Sequence, residues 1–228
     1  MIHLDRVSRW YVTPSGRKHV LRDVTVTIPK GVNVGIFGLN GSGKSTLLRL
    51  LGGTDQPDRG RITIDGSISW PLGLGTGFQG SMTGLDNTRF VCGIHGLDPR
   101  TTDRVCAFVE DFSELGKDFR LPARHYSSGM KSRLTFSMSI AFDFDWYLID
   151  EITAVGDEVF RKKSAQVLRA KRGRCNWLMV SHNVVDLMQE TDIGILVDGG
   201  DVQIFTDSRA ALLAYQALIK QRTSVEHG

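Results

Sequence analysis

Apolar and polar residues alternate from Val20 to Ile28, where Val24, Val26 and Ile28 are separated by Thr25 and Thr27. A period of two predicts a half-buried strand. Pro29-Lys30-Gly31 turns the chain, and the short apolar run Val32 to Phe37 predicts a buried parallel strand. A glycine-rich loop then leads into Leu47-Leu48-Arg49-Leu50-Leu51, a helical stretch that Gly52-Gly53 stops. Pro57 to Gly60 is a turn, and Arg61 to Asp65 alternates again. After the glycine-rich residues 73–84, Asp86 to about Phe119 carries a helical pattern. It breaks at Leu97-Asp98-Pro99, where Asp98 caps and Pro99 opens the next helix. Another helix runs from Ser128 to about Ala141. Trp146–Ile149, Trp177–Val180 and Ile193–Val197 read as buried strands, with the charged helix Glu158–Ala170 between the first two. Gly199-Gly200 joins Ile193–Val197 to Val202–Phe205 as a hairpin, and Asp207 caps a last helix from Ser208 to about Lys220.

Strand, loop, helix and later buried strands make an α/β fold on a parallel sheet. The mostly helical block 80–143 reads as an insertion within a single domain. Residues 1–79 and 144–206 are then the core, and 207–228 a C-terminal helix and tail, either a dimer contact or a surface cap. The 228 residues are 41% hydrophobic and 23% charged, which excludes a disordered chain. Lysine and arginine number 28 against 25 acidic residues, a net charge of +3. That balance suits a phosphate ligand and is too small to argue for nucleic acid. No apolar run reaches the ~18 residues of a membrane span, and Met1–Arg6 lacks the blocks of a signal peptide. Cys92, Cys106 and Cys175 form no C-x-x-C pair and read as buried thiols in a reducing compartment.

The chemistry starts at Gly38-x-x-x-x-Gly43-Lys44-Ser45, a complete P-loop set between a buried strand and a helix. Its glycines let backbone N–H groups wrap a phosphate, and the helix N-terminus adds its positive dipole end. Lys44 is placed to reach the β- and γ-phosphates and Ser45 to bind Mg²⁺. Asp150-Glu151 ends the strand Trp146–Ile149: Asp150 suits a carboxylate that holds Mg²⁺ through water, and Glu151 one that polarises the attacking water. His182 closes another buried strand, 31 residues after Glu151, one strand–helix–strand unit that returns the chain to the same sheet edge. A core or capping histidine is the competing reading.

With Tyr126-Ser127-Ser128-Gly129-Met130 added, the chain resembles the ATP-binding-cassette (ABC) ATPases. These residues look like a variant of the signature L-S-G-G-Q, with Ser128 and Met130 at the altered positions. The resemblance implies a P-loop NTPase fold with a RecA-like parallel core, an antiparallel β subdomain and an inserted helical subdomain. It implies ATP and Mg²⁺ as ligands, bound by Gly38, Asn40, Gly41, Ser42, Gly43, Lys44, Ser45 and Thr46. It further implies a head-to-tail dimer in which Ser127, Ser128 and Gly129 of one copy complete the site of the other. By position Gln79 matches the glutamine that contacts Mg²⁺ or water and senses the membrane partner. Tyr11 matches the aromatic that stacks on adenine, with Trp10 as its competitor. Ala154-Val155-Gly156-Asp157 matches the D-loop, so Asp157 joins the nucleotide set, and His182 matches the switch histidine at the γ-phosphate.

Ser69-Trp70-Pro71, the run Gly77 to Gly84 and the run Asp150 to Asp157 narrow the resemblance to the ATPase subunit of capsular polysaccharide exporters. That implies a peripheral ATPase on the cytoplasmic face of a bacterial inner membrane. Two copies would dock on a membrane permease around Gln79 and the helical block, the permease handling the polysaccharide and no nucleic acid being involved. O-antigen, teichoic acid or a drug is the alternative cargo. The few residues after Phe205 leave no room for the C-terminal carbohydrate-binding domain of related O-antigen ATPases. A P-loop kinase or a DNA-repair type of cassette ATPase are the other classes weighed. The kinase would need an acceptor site, and the DNA machine a long coiled-coil insertion.

Overall fold

The computed structural model describes residues 1–14, 16–72, 79–150, 157–181 and 183–226, with 224–226 described by backbone alone. The chain divides into two compact units. One comprises Met1–Pro71, Phe144–Glu151 and Gly173–Gly228, the other Leu72–Asp143 and Ile152–Arg172.

The first unit carries two sheets. An antiparallel sheet joins β1 (Ile2–Thr13), β2 (Gly16–Ile28) and β4 (Arg59–Ile64) in the order β2-β1-β4. The second sheet contains β3 (Val34–Phe37), β5 (Trp146–Asp150), β6 (Asn176–Val180), β7 (Ile193–Asp198) and β8 (Asp201–Phe205) in the order β5-β6-β3-β7-β8. Its first four strands are parallel and β8 is an antiparallel edge. Leucines of α1 (Lys44–Leu51) pack with Ile36, Leu148, Leu178 and Ile195 of this sheet and with Ile2, Leu4 and Val26 of the other in one buried cluster. The helix α6 (Val184–Glu190) and the last helix, α7 (Ser208–Glu226), belong to the same unit. α7 lies so close to β7 that a Cβ on Gly194 would overlap that of Ala211. Ser208 on α7 and Thr191 share a buried 2.7 Å hydroxyl pair, and Tyr215 meets Phe37 at 6.3 Å between ring centres.

The second unit is helical: α2 (Gly84–Ile94), α3 (Pro99–Ser113), α4 (Ser128–Ile140) and α5 (Glu158–Lys171). Phe112, Phe136 and Phe160, one from each of α3, α4 and α5, form an aromatic core with centres 5.6 to 6.2 Å apart. Among the described residues no helix is long and apolar enough to cross a membrane.

Several boundaries differ from the sequence expectation, and each has a local cause. β1 carries no expected strand in the sequence pattern because a bulge breaks its alternation. Ile2 and Leu4 are buried, Arg6 takes a left-handed φ of 47°, and burial resumes at Val7 on the opposite parity. β2 begins at Gly16, four residues before the alternation does, on polar residues paired with the outer half of β1. α3 stops at Ser113, where Glu114 adopts φ 55°, and a 3₁₀ turn carries the chain from Gly116 to Arg120. β4 starts two residues early at Arg59, and α7 continues past Lys220 to Glu226. The expected caps Asp98 and Asp207 are in place, accepting from Thr101 N–H at 3.1 Å and Ala210 N–H at 2.7 Å.

Candidate active site

In register, Ile36 of β3 lies beside Val180 of β6, which lies beside Asp150 of β5. Three parallel strands therefore end level, at the carboxyl edge where α/β sheets bind ligands. β3 runs into the P-loop there. The loop requires its glycines: Gly38, Gly41 and Gly43 all have positive φ, and a Cβ on Gly43 would stand 2.8 Å from Val20 Cγ1. Gly43 is the residue before α1 and no side chain caps that helix. Its first N–H groups therefore have no side-chain cap, the arrangement that draws an anion.

A cavity of about 340 Å³ opens over this loop, lined by Tyr11, Lys18, Val20, Asn40, Gly41, Gly43, Lys44, Ser45, Thr46, Asp150 and Val180. The Lys44 ammonium donates to the carbonyls of Gly38 at 2.8 Å and Leu39 at 2.9 Å. Burial pushes its pKa below the usual lysine value while the Asp150 charge pulls it back. Ser42 Oγ is buried without a hydrogen-bond partner among the described residues, so the loop holds an unspent polar group. Ser45 and Asp150 supply two hard oxygen donors to one cavity. Mg²⁺ fits such a pair, since it takes one or two protein oxygens and completes its shell with phosphate and water.

Neighbouring strand residues face opposite ways, and this separates the two candidate aromatics. Tyr11 pairs across the sheet with Lys18, and both line the cavity. Trp10 pairs with His19 on the other face, its ring 5.4 Å from that imidazole and 5.3 Å from the Arg17 guanidinium. The Tyr11 hydroxyl donates to Asp55 Oδ2 at 3.1 Å and accepts from Arg49 Nη2 at 3.1 Å.

In the helical unit Ser127, Ser128 and Gly129 open α4 beside a hollow of about 490 Å³ that also includes Met130, Ser132, Arg133 and Asp157. Ser127 caps α4 by accepting from Met130 N–H at 3.2 Å. Tyr126 is buried ahead of it and its hydroxyl donates to the Asp118 carbonyl at 2.6 Å. Asp157 caps α5 through Phe160 N–H at 2.9 Å and meets Arg133 Nη2 at 2.6 Å. The Phe160 N–H bond, with Arg133 adding to it, holds the Asp157 carboxyl below its ordinary pKa. Gln79 also lies in this unit. It is exposed, and its backbone is clamped by buried Asn87, which accepts from Gln79 N–H at 2.8 Å and donates to its carbonyl at 3.1 Å.

The structure thus gathers Tyr11, Asn40, Gly41, Gly43, Lys44, Ser45, Thr46 and Asp150 around one cavity, with Gly38 and Ser42 in the same loop, and Ser127, Ser128, Gly129 and Asp157 around a second hollow. Glu151, His182, the D-loop residues 154–156 and the glycine-rich residues 73–78 lie outside the described residues. Sequence reasoning missed Lys18, detectable only once Tyr11 is paired to it, and Arg133. The latter bridges Asp157 and Glu114 and lies 5.0 Å over the Phe160 ring.

Comparison with known proteins agrees with this geometry. Residues 21–154 match the family model described as ABC transporter. The polysialic acid transport ATP-binding protein KpsT of Escherichia coli is 48% identical over 198 residues, 87% of this chain and 90% of that protein. The capsule polysaccharide export ATP-binding protein CtrD of Neisseria meningitidis is 44% identical over 218 residues, 96% of this chain and 100% of that one. The fold is shared with the dimeric post-hydrolysis structure of the ATP-binding cassette MJ0796 bound to ADP and Pi, with TM-score 0.75 and 20% identity over 90% of this chain and 98% of that one. A glycine loop on an uncapped helix, a lysine and an aspartate on one cavity, and relatives matched along nearly their whole length lead to one conclusion: the chain belongs to the ABC transporter family, as one of its ATP-hydrolysing cassettes.

Proposed function

We propose that this chain is the ATPase subunit of an exporter that moves capsular polysaccharide across a bacterial inner membrane. It works from the cytoplasmic face as a head-to-tail dimer docked on a membrane permease. The observation that carries the cargo assignment is the 44% identity along the whole of a capsule polysaccharide export protein. The cavity over the P-loop supports the ATPase assignment.

In this reading the N–H groups of the loop and of α1 wrap the triphosphate, and Lys44 leaves its two carbonyl partners to neutralise the β- and γ-oxygens. Tyr11 stacks on adenine. Ser45 and Asp150 would hold Mg²⁺, with Gln79 contacting the ion or its water; the ion would screen charge that builds on the phosphate oxygens. Glu151 takes a proton from the attacking water and His182 hydrogen-bonds the γ-phosphate. The opposing copy brings Ser127, Ser128 and Gly129 to that phosphate, with Asp157 beside them. Hydrolysis breaks the link between the β- and γ-phosphates and leaves ADP and inorganic phosphate; once the phosphate departs, the charge that these groups meet is gone and the dimer opens.

Glu151→Gln tests both halves of the reading. The variant should bind ATP, hydrolyse it at least about a hundredfold more slowly and run as a dimer on sizing with ATP. In cells, capsular polysaccharide should stay inside while the surface stains negative. A monomer at saturating ATP in the presence of the permease would remove the sandwich. Normal surface capsule would remove the cargo.

A further inference from the structure

Tyr11 stands near the turn of the β1–β2 hairpin, where Val12 and the facing Arg17, Lys18 and His19 are exposed and offer little packing. Its ring is nonetheless fixed from two directions. The Arg9 guanidinium lies over one face of the ring, 4.8 Å from its centre, and Tyr11 also lines the cavity. Arg9 is itself pinned: Nη2 and Nε meet Asp55 at 2.8 and 3.2 Å, and Nη1 meets Asp58 at 3.1 Å. Asp58 accepts also from Trp10 N–H at 2.9 Å.

The second direction is the phenol. Its hydroxyl sits between Asp55 and Arg49, and Arg49 Nη2 also donates to Thr46 Oγ1 at 3.2 Å. Thr46 Oγ1 also meets the hydroxyl at 3.4 Å, and all three partners are tied to the phosphate-binding helix. Thr46 and Arg49 belong to α1, and Asp55 N–H donates to the Arg49 carbonyl at 3.2 Å. The ring that faces the base is therefore bolted to the helix that faces the phosphates. Fixing a ring before it is used removes the entropy loss of ordering it at the moment of binding.

We propose that Arg9 and Asp55 are positioning residues for the nucleotide base: they set the plane of the Tyr11 ring and tie its hydroxyl to α1. Base and triphosphate then meet one rigid frame, with a single ring face open for stacking. This rests on the base-stacking role of Tyr11 given above. A network that merely braces β1 against α1 would weaken every ligand of the P-loop alike, whereas positioning of the ring weakens only ligands that have a base.

The test measures affinity for ATP and for inorganic triphosphate in the full chain carrying Asp55→Asn, Arg9→Gln, Tyr11→Phe or Tyr11→Ala, together with KM and kcat for ATP. Asp55→Asn and Arg9→Gln should weaken ATP binding and raise KM about three- to tenfold, with a smaller change in kcat and triphosphate affinity within about twofold. Tyr11→Phe keeps the ring and the Arg9–Asp55 pair and should show the same pattern more weakly, so it serves where the other two fail to fold. Equal losses for ATP and triphosphate overturn the proposal in favour of a brace. Unchanged ATP affinity in Asp55→Asn and Arg9→Gln, beside a loss in Tyr11→Ala, also overturns it and leaves the stacking role standing. No effect of Tyr11→Ala on ATP affinity removes the stacking role and this proposal together.

Discussion

Two helices of this protein begin at glycine- and serine-rich turns, and they begin differently. α1 follows a left-handed Gly43 and has no side-chain cap. α4 follows Ser127, whose own hydroxyl caps it at Met130 N–H. The first helix has no side-chain acceptor for its leading donors; the second has one of them met by its own serine. The glycines differ in the same sense. A Cβ on Gly43 collides with Val20, whereas a Cβ on Gly129 would meet nothing nearer than Ser127 Oγ at 3.9 Å. The first glycine is required by the fold around it, and the second is not. In the proposed dimer the second would be a stable helix start that meets an anion held by the other copy.

The sharpest break between the two should come from Lys44→Ala. Removing the charge aimed at the phosphates should lower phosphate release about a hundredfold or more in purified protein. Turnover at the normal rate would dissolve the primary site. Next in size is Gly129→Ala. Nothing in the fold opposes the methyl, and alanine favours a helix over glycine by about 1 kcal/mol, so the melting temperature should hold or rise. Turnover should nevertheless fall about tenfold while ATP affinity of the isolated chain stays put, because in the proposed dimer the methyl would stand where the opposing phosphate approaches. Unchanged turnover would leave α4 a plain capped helix.

Ser127→Ala comes third. Loss of the cap should cost about 1 kcal/mol, read as a lower denaturant midpoint, and turnover should fall by more than the stability loss explains. A variant with the lower midpoint and full turnover would assign Ser127 to the helix alone. Smallest is the thiol pattern. Cys106 is buried and its pKa is pushed up to about 11, chiefly by burial, and Cys92 moves the same way. A raised thiol pKa keeps the neutral form through neutral pH, and the reactive thiolate grows only as pH approaches the shifted value. Cys92 and Cys106 of the helical unit should resist alkylation at pH 8 until denaturant is added, and Cys175 of the sheet unit should react first. Rapid modification of all three would mean that the helical unit opens more readily than its packing implies.

The P-loop and Asp150 were legible because their chemistry is local: a fixed spacing on a strand–loop–helix, and an acidic pair after an apolar run. The buried strands were legible because both faces are covered, so every position is apolar. What escaped depended on long-range pairing. β1 hid behind the Arg6 bulge, which moves its buried positions from even to odd numbers. Lys18 joined the cavity through a cross-strand pair, and Arg9 found its aspartates some fifty positions away. Arg133 looked like an ordinary solvated helix residue until Glu114 and Asp157 were brought to it from two other elements. The end of α3 escaped for a subtler reason. Glu114 takes a left-handed φ where glycine would have announced the stop.

The close approach of α7 to β7 at Gly194 has a bearing on how the molecule comes into being. β3, which delivers the P-loop, is among the first strands made, yet Phe37 at its end is covered by Tyr215 from one of the last helices. The phosphate cradle of a chain still emerging from the ribosome therefore rests on an unfinished sheet. Contacts so distant along the polymer close late and slowly, which leaves an interval in which a chaperone or protease meets an exposed apolar face.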